Sequence, residues 1–435
     1  MRTKVLEVTH ATAPGALAGS AIDKPTAGDE RGDWALDVRG WAVGEDGPVT
    51  SVEGAHEGTV LWRVPPVLDR PQVSARFPQA GGDPVGFYAL PSVLALPPRH
   101  EIELTAMIRG RAAPIGSIVA ERAPLTTTFE PRRQPILITT FGRTGSMLLM
   151  RLLSSHPDVL SYRPHRFEQR IAGYWIEALL ALSDPASYLR GVTPQTVARQ
   201  GVEDRTWWLG IDAPTPWPLR DEAVQEWLGG EAVEALAETC QQRIDAVYET
   251  IATVTGATRE PFFAEKSTPR VSSVAAELYP NGHELFLVRD LRDMLCSMLA
   301  FNEQRGVSGF GRAEADSDRD FVDMLGRQAT SLARAWERRQ DRAHLVRYED
   351  LVLDPARALG ALLDHVGVDS RPDTVRAMLG QLEEDIPELR EHATSDSAQS
   401  SIGRWRTDLD PDLAEACERA FGPALEQFGY ERQSE

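Results

Sequence analysis

The stretch from Pro135 to Pro157 constrains this chain more than any other. An apolar run, Pro135-Ile-Leu-Ile-Thr-Thr-Phe141, meets a turn with glycines at 142 and 145, and apolar residues at helical spacing follow from Ser146. A short apolar run bounded by glycine and followed at once by a helix predicts a strand buried on both faces, the opening of a βαβ unit. Gly142 and Gly145 allow a tight turn, so amides at the helix start converge with the helix dipole behind them. Arg143, inside the turn, adds a guanidinium fork suited to phosphate or sulfate. Taken alone, the loop is either an anion site or an ordinary strand–turn–helix connection. It is not the nucleotide-kinase loop, whose GxxxxGK[ST] pattern needs a lysine that is missing here.

The grammar differs on the two sides of this segment. Residues 34–125 read as short strands at Trp34–Val43, Thr59–Val64, Val73–Phe77, Gly86–Leu90, Glu101–Arg109 and Gly116–Glu121, with Met1–His10 a further strand. Turn residues such as Asp46-Gly47 and Pro97-Pro98 separate them, which predicts a small antiparallel β-sandwich. Ala11–Asp33, rich in Ala, Gly and Pro, reads as a loose connection. After Gln134, strands at Ile136–Thr140 and Leu285–Val288 alternate with helices at Ser146–Ser155, Glu231–Thr255 and Asp320–Arg338. That alternation predicts an α/β fold with a mostly parallel sheet flanked by helices. The expected domains are 1–125 (β-sandwich), 126–134 (linker) and 135–435 (the α/β region).

A net charge of −19 argues against nucleic acid as a partner, although a few local cations still suffice for a small anion. No apolar run reaches the ~18–20 residues of a membrane helix, and no leader pattern opens the chain, so a cytoplasmic protein is expected. Cys240, Cys296 and Cys417 lie far apart, which speaks against a disulfide framework or a zinc site. Only Lys4, Lys24 and Lys266 of the 46 basic residues are lysine, which makes Lys266 conspicuous. Arginine is a poor substitute where a compact point charge is needed.

Further segments follow in order: Phe262-Phe-Ala-Glu-Lys-Ser-Thr-Pro-Arg270, then Leu285-Phe-Leu-Val-Arg-Asp-Leu-Arg-Asp293 and Arg347-Tyr-Glu-Asp-Leu351, and last Ser400-Ser-Ile-Gly-Arg-Trp-Arg406. Together with the first loop they resemble the P-loop sulfotransferase family, on the side of its carbohydrate-type and bacterial members. The resemblance covers the second region only. It implies transfer of a sulfuryl group from 3′-phosphoadenosine 5′-phosphosulfate, leaving adenosine 3′,5′-bisphosphate, with no metal. Gly142, Arg143, Thr144, Gly145, Ser146 and Met147 would hold the 5′-phosphosulfate; many members carry lysine at the position of Arg143. Arg289 and Ser297 would hold the 3′-phosphate. Ser401, Gly403, Arg404 and Trp405, in a late loop whose basic residue after the tryptophan is Arg406, would close over it. Tyr348-Glu349-Asp350-Leu351 reads as structural, a strand ending in a charged turn.

Sulfuryl transfer requires in-line positioning and a charge on the departing oxygen to be stabilised, roles that fit Arg143 and Lys266. An acceptor hydroxyl also needs a base within reach. His165 is the first choice because imidazole titrates near neutrality, with Glu168 second and Glu265 third. Arg163 falls where several relatives carry glutamate. The aromatic stretch with Tyr174, Trp175, Trp207, Trp208, Trp217 and Trp227 would contain the acceptor pocket, though most of these rings are expected in helix cores. The expected acceptor is a hydroxyl, or less readily an amine, of a glycan, a lipid-linked sugar or a secondary metabolite. A divergent small-molecule kinase using Asp290 with magnesium, and a non-catalytic nucleotide-binding scaffold, are the alternatives; oligomeric state is open.

Overall fold

The computed structural model describes residues 1–11, 15–183, 223, 227, 229–257, 260–381, 394–395 and 397–432. It divides into two compact units: Met1–Thr128 with Ile176–Cys240, and Phe129–Trp175 with Gln241–Glu435.

Among the described residues the first unit holds nine strands: β1 (Thr3–His10), β2 (Leu17–Lys24), β3 (Glu30–Arg31), β4 (Val38–Gly44), β5 (Val49–His56), β6 (Thr59–Val64), β7 (Gly86–Ala89), β8 (Arg99–Ile108) and β9 (Arg111–Arg122). They form two antiparallel sheets, ordered β3-β1-β9-β8-β5-β6 and β2-β4-β7. In β8 every second residue is buried, through Ile102, Leu104 and Ala106, the period of a strand with one apolar face. The Glu231–Thr255 helix begins in this unit, where Glu234 pairs with Arg2 at 2.8 Å and Glu238 accepts the Thr128 hydroxyl at 2.8 Å.

Three expectations fail here. Ala11–Asp33 is not loose: β2 pairs with β4, Ala21 opposite Trp41, although Leu-Ala-Gly-Ser-Ala has little intrinsic preference for a strand. Gly19 leaves room for the Phe77 ring, which a Cβ there would meet at 2.7 Å. Second, β5, unread in the sequence, sits between β6 and β8. Third, Val73–Phe77 is not a strand, because Pro71 opens a short helix, Pro71–Arg76, with its ring at the first turn.

In the second unit five parallel strands stand in the order β11-β12-β10-β13-β14: β10 (Gln134–Thr140), β11 (Val159–Leu160), β12 (Phe262–Ser267), β13 (His283–Val288) and β14 (Ala343–Arg347). β10 is central and buried from Pro135 to Thr139, as a strand covered on both faces must be. Ile136, Ile138 and Ala264 pack under Leu149 and Leu153 of the Ser146–Leu153 helix. Phe286 and Val288 pack on the other cluster, with Leu295 of the Leu291–Arg305 helix and Phe421. Replacing Ile138 by alanine in such a core would cost about 2–5 kcal/mol. The first-loop turn and Arg289 both lie beyond the carboxyl ends of adjacent strands, where open parallel sheets bind ligands. No helix among the described residues is long and apolar enough to cross a membrane.

Candidate active site

β10 ends at Thr140, and its hydroxyl begins the turn by donating to the Leu287 carbonyl at 2.8 Å. Thr144 is buried and donates to the Phe141 carbonyl at 3.0 Å, with the Thr140 hydroxyl 2.5 Å away. These bonds fold Phe141–Thr144 into a closed loop. Arg143 takes a positive φ of 65°, unusual for a residue with a Cβ. Gly145 caps the Ser146–Leu153 helix at φ 88°, and a Cβ there would lie 2.4 Å from the Tyr348 ring. The first amides of that helix, Ser146 and Met147 among them, have no carbonyl of their own helix to bond.

Arg143 donates through Nε to the Ser297 hydroxyl at 3.1 Å and stacks over Phe301 at 5.0 Å. Ser297, two turns into the Leu291–Arg305 helix, also meets the Thr394 hydroxyl at 3.0 Å. Arg289, 5% exposed, donates to the Arg143 carbonyl at 3.2 Å and to the Ser401 carbonyl at 2.6 Å. Its guanidinium lies 4.7 Å from the centre of the Tyr348 ring, and its Nε is buried without a partner among the described residues. Arg289 does not pair with its acidic neighbours: Asp290 takes Arg292 at 2.7 Å, and Asp293 accepts the N–H groups of Gly403 and Trp405. Burial, and after it the charges of Arg289, Arg305 and Arg404, push the Arg143 guanidinium down to about 10. It stays charged at neutral pH, so several cations converge here, an arrangement that an anion relieves.

The late loop joins this cluster. Ser401 is buried, and its hydroxyl meets the Tyr348 hydroxyl at 3.1 Å. Asp293 accepts the backbone N–H of Gly403 at 2.6 Å and of Trp405 at 2.9 Å. The guanidinium groups of Arg292 and Arg406 lie 4.0 Å and 4.7 Å from the centre of the Trp405 ring. Arg404 pairs with Asp408 at 2.6 Å and donates to the Thr394 carbonyl at 2.8 Å.

A second group gathers on β12. Lys266 is buried and pairs with Glu168, whose side chain is 54% exposed. Glu265 is buried and accepts the N–H groups of Ile171 at 2.7 Å, Ala172 at 2.9 Å and Gly173 at 3.4 Å, together with the Tyr248 hydroxyl. Burial pushes its carboxyl up to about 7 against the pull of those donors. A carboxylate enclosed by a helix start and a tyrosine is not placed as a base for an external hydroxyl, so Glu265 leaves the list of bases. His165 sits in the 3-10 turn Pro164–Phe167, but its side chain lies outside the described residues. Arg163 is exposed and donates to the Ser154 carbonyl at 2.9 Å.

Two participants escape sequence reasoning. Tyr348 lies in the segment read as structural; it opens a helix, Tyr348–Leu353, instead of ending a strand, and it touches Gly145, Arg289 and Ser401 together. Asp293 looks like a helix-surface acid, and only the arrival of a loop 110 residues later gives it partners. Of the aromatics, Tyr174 and Trp227 are exposed, at 68% and 54%, against the expectation of core. Trp207, Trp208 and Trp217 lie outside the described residues. Among the described residues no group of three or more His, Cys, Asp or Glu is placed to hold a metal ion.

Comparison with protein families matches the Sulfotransferase family over residues 135–373. The chain belongs to the sulfotransferase family. This sulfotransferase has no match among curated proteins. Among solved structures it is similar to the sulfotransferase domain of a Synechococcus olefin synthase, at 19% identity and TM-score 0.38, covering 71% of this chain and 99% of that one. A Mycobacterium avium sulfotransferase is 15% identical, with TM-score 0.38 and coverage of 70% and 79%. Retinol dehydratase, solved with androsterone and the inactive cofactor PAP, is 15% identical, with TM-score 0.36 and coverage of 77% and 92%.

Proposed function

We propose that this sulfotransferase moves a sulfuryl group from 3′-phosphoadenosine 5′-phosphosulfate to a hydroxyl of a small-molecule or glycan acceptor in the cytoplasm. The observation that carries the reading is the convergence of Arg143, Arg289, Ser297 and Ser401 beyond the strand ends, with the Arg289 Nε buried and unpartnered among the described residues. Every group named there has an N–H or O–H to give, and the phosphate groups of a nucleotide, whose ionised oxygens only accept, match them.

In this reading the 142–147 turn holds the 5′ end of the nucleotide, and Arg289, Ser297 and the 401–405 loop hold its 3′-phosphate. When bound, the nucleotide supplies the activated sulfuryl group. Lys266 and Arg143 place positive charge where negative charge grows on the departing oxygen, and interactions of that kind act on the transition state. His165 or Glu168, three residues apart, takes the acceptor proton. Glu168 already touches Lys266, so base and cation belong to one ion pair.

Thermal shift with adenosine 3′,5′-bisphosphate tests the nucleotide site, since a ligand that binds only the folded state raises the melting temperature. The bisphosphate should stabilise strongly and AMP, lacking the 3′-phosphate, weakly; equal responses would remove the Arg289–Ser297 assignment. An acceptor screen with labelled donor, read by mass spectrometry, identifies the hydroxyl.

A further inference from the structure

Glu265 is a site candidate that the proposed chemistry leaves without a task, yet it holds one of the most densely bonded positions in the second unit. Its two oxygens accept three backbone N–H groups at the start of the Ile171–Ser183 helix and one tyrosine hydroxyl. A helix start leaves its first N–H groups unbonded, and a carboxylate there also meets the positive end of the dipole. The usual cap is a side chain at the residue just before the helix. Here the cap arrives from β12, 94 positions away in sequence.

The neighbour of Glu265 on that strand is Lys266, and Lys266 holds Glu168, three residues before the helix begins. Successive side chains of a strand project to opposite faces. Two adjacent residues of β12 therefore grip the two ends of one six-residue segment, Glu168–Gly173, from opposite faces of the sheet. Tyr248 stacks on Phe263 at 4.0 Å, with an interplanar angle of 20°, which fixes the phenol that braces the carboxylate. The hydroxyl bonds one oxygen and the Gly173 amide the other, so the carboxylate is held at both.

We infer that Glu265 is a positioning residue that, by anchoring the start of the Ile171–Ser183 helix, sets where Glu168 stands relative to Lys266. The inference rests on the reading above, in which Lys266 and Glu168 serve the transfer. Glutamine at 265 keeps size and one acceptor but loses the charge and turns an N–H₂ toward backbone donors. The helix start then shifts, and the ion pair on the other face loses its register.

The test uses the full chain, with Glu265→Gln, Glu168→Gln, the double variant and Tyr248→Phe, on the hydroxyl acceptor found in the screen. Glu265→Gln should lower kcat at saturating donor by about 10–100-fold, while bisphosphate Kd stays within about twofold, because misplaced groups cost rate far more than binding. It should cost little further when added to Glu168→Gln, because both changes disable the same pair. Tyr248→Phe, which keeps the ring stack and the N–H bonds, should act in the same direction by less and guards against a Glu265 variant that fails to fold. Hydrogen exchange should rise in the 168–175 peptide and not in 146–153. An unchanged kcat in both Glu265→Gln and Tyr248→Phe, a fall in bisphosphate affinity matching the fall in rate, or fully additive losses would each overturn the inference. Lys266→Ala keeps the two readings apart: normal turnover in it defeats the proposed chemistry, whereas lost turnover there with normal turnover in Glu265→Gln defeats only the role of Glu265.

Discussion

Asp293 accepts the backbone N–H of Trp405 at 2.9 Å and that of Gly403 at 2.6 Å, so one buried carboxylate holds two amides of the late loop. Arg289, four residues earlier, holds the Ser401 carbonyl of the same loop at 2.6 Å. The start of the Leu291–Arg305 helix thus fastens the late loop at three residues.

Asp293→Asn should weaken adenosine 3′,5′-bisphosphate binding by about tenfold while leaving kcat at saturating donor nearly unchanged. Hydrogen bonds to a charged group are typically worth about 1.5–3 kcal/mol, and asparagine keeps only one of the two acceptors. Calorimetric Kd values beside saturation kinetics check it; a loss of kcat with normal Kd would contradict the fastening.

Gly145→Ala should destabilise the second unit by about 2–4 kcal/mol, since a φ of 88° and the Tyr348 ring at 2.4 Å both oppose a Cβ. Gly360→Ala is the contrast. It lies inside the Pro355–Val366 helix with open space around its Cβ, and alanine there should stabilise by about 0.5–1 kcal/mol. Urea unfolding of both variants measures the difference.

Lys266→Ala should reduce kcat by about 10²–10³-fold with donor affinity changed far less, because the charge it meets develops mainly in the transition state. Lys266→Arg should recover only part of the loss, the guanidinium being too broad for a buried ammonium position. Single-turnover rates with saturating donor separate this from a binding defect.

His100 gives the β-domain an acid-sensitive point. Burial pushes its imidazole down to about 4, and its Nδ1 bonds the Pro97 carbonyl at 2.9 Å. Between that value and the usual ~6.5 the unfolded chain binds a proton that the folded chain refuses. Stability is therefore fully present above about 6.5 and falls as the pH drops toward 4, by up to ~3 kcal/mol. His100→Asn should flatten the pH dependence of the thermal midpoint over this window.

How much of this was legible before folding varies by residue. Pro135–Ser146 announced strand, turn and helix because apolar runs and glycines act locally, and Arg143, Arg289 and Ser297 could be matched to one site through a run of motifs. Glu265 reads in the sequence as a candidate base, since a glutamate beside a lysine cannot show that a helix start 94 residues upstream, with the Tyr248 hydroxyl, encloses it. β2 was missed because its own residues barely favour a strand, and pairing with β4 supplies the preference.

By itself, then, the sequence determined the class of fold, the strand–turn–helix at 135–153 and the family, all of which rest on interactions between near neighbours or on ordered motifs. The tertiary structure decided the partners: Asp293 with Trp405, Tyr348 under Arg289, Lys266 with Glu168, Glu265 on the Ile171–Ser183 helix. Each of those pairs is separated by between 59 and 112 residues, and no local propensity selects a partner at that range. Burial does, because a charged or polar group taken out of water must find its complement wherever the chain brings one.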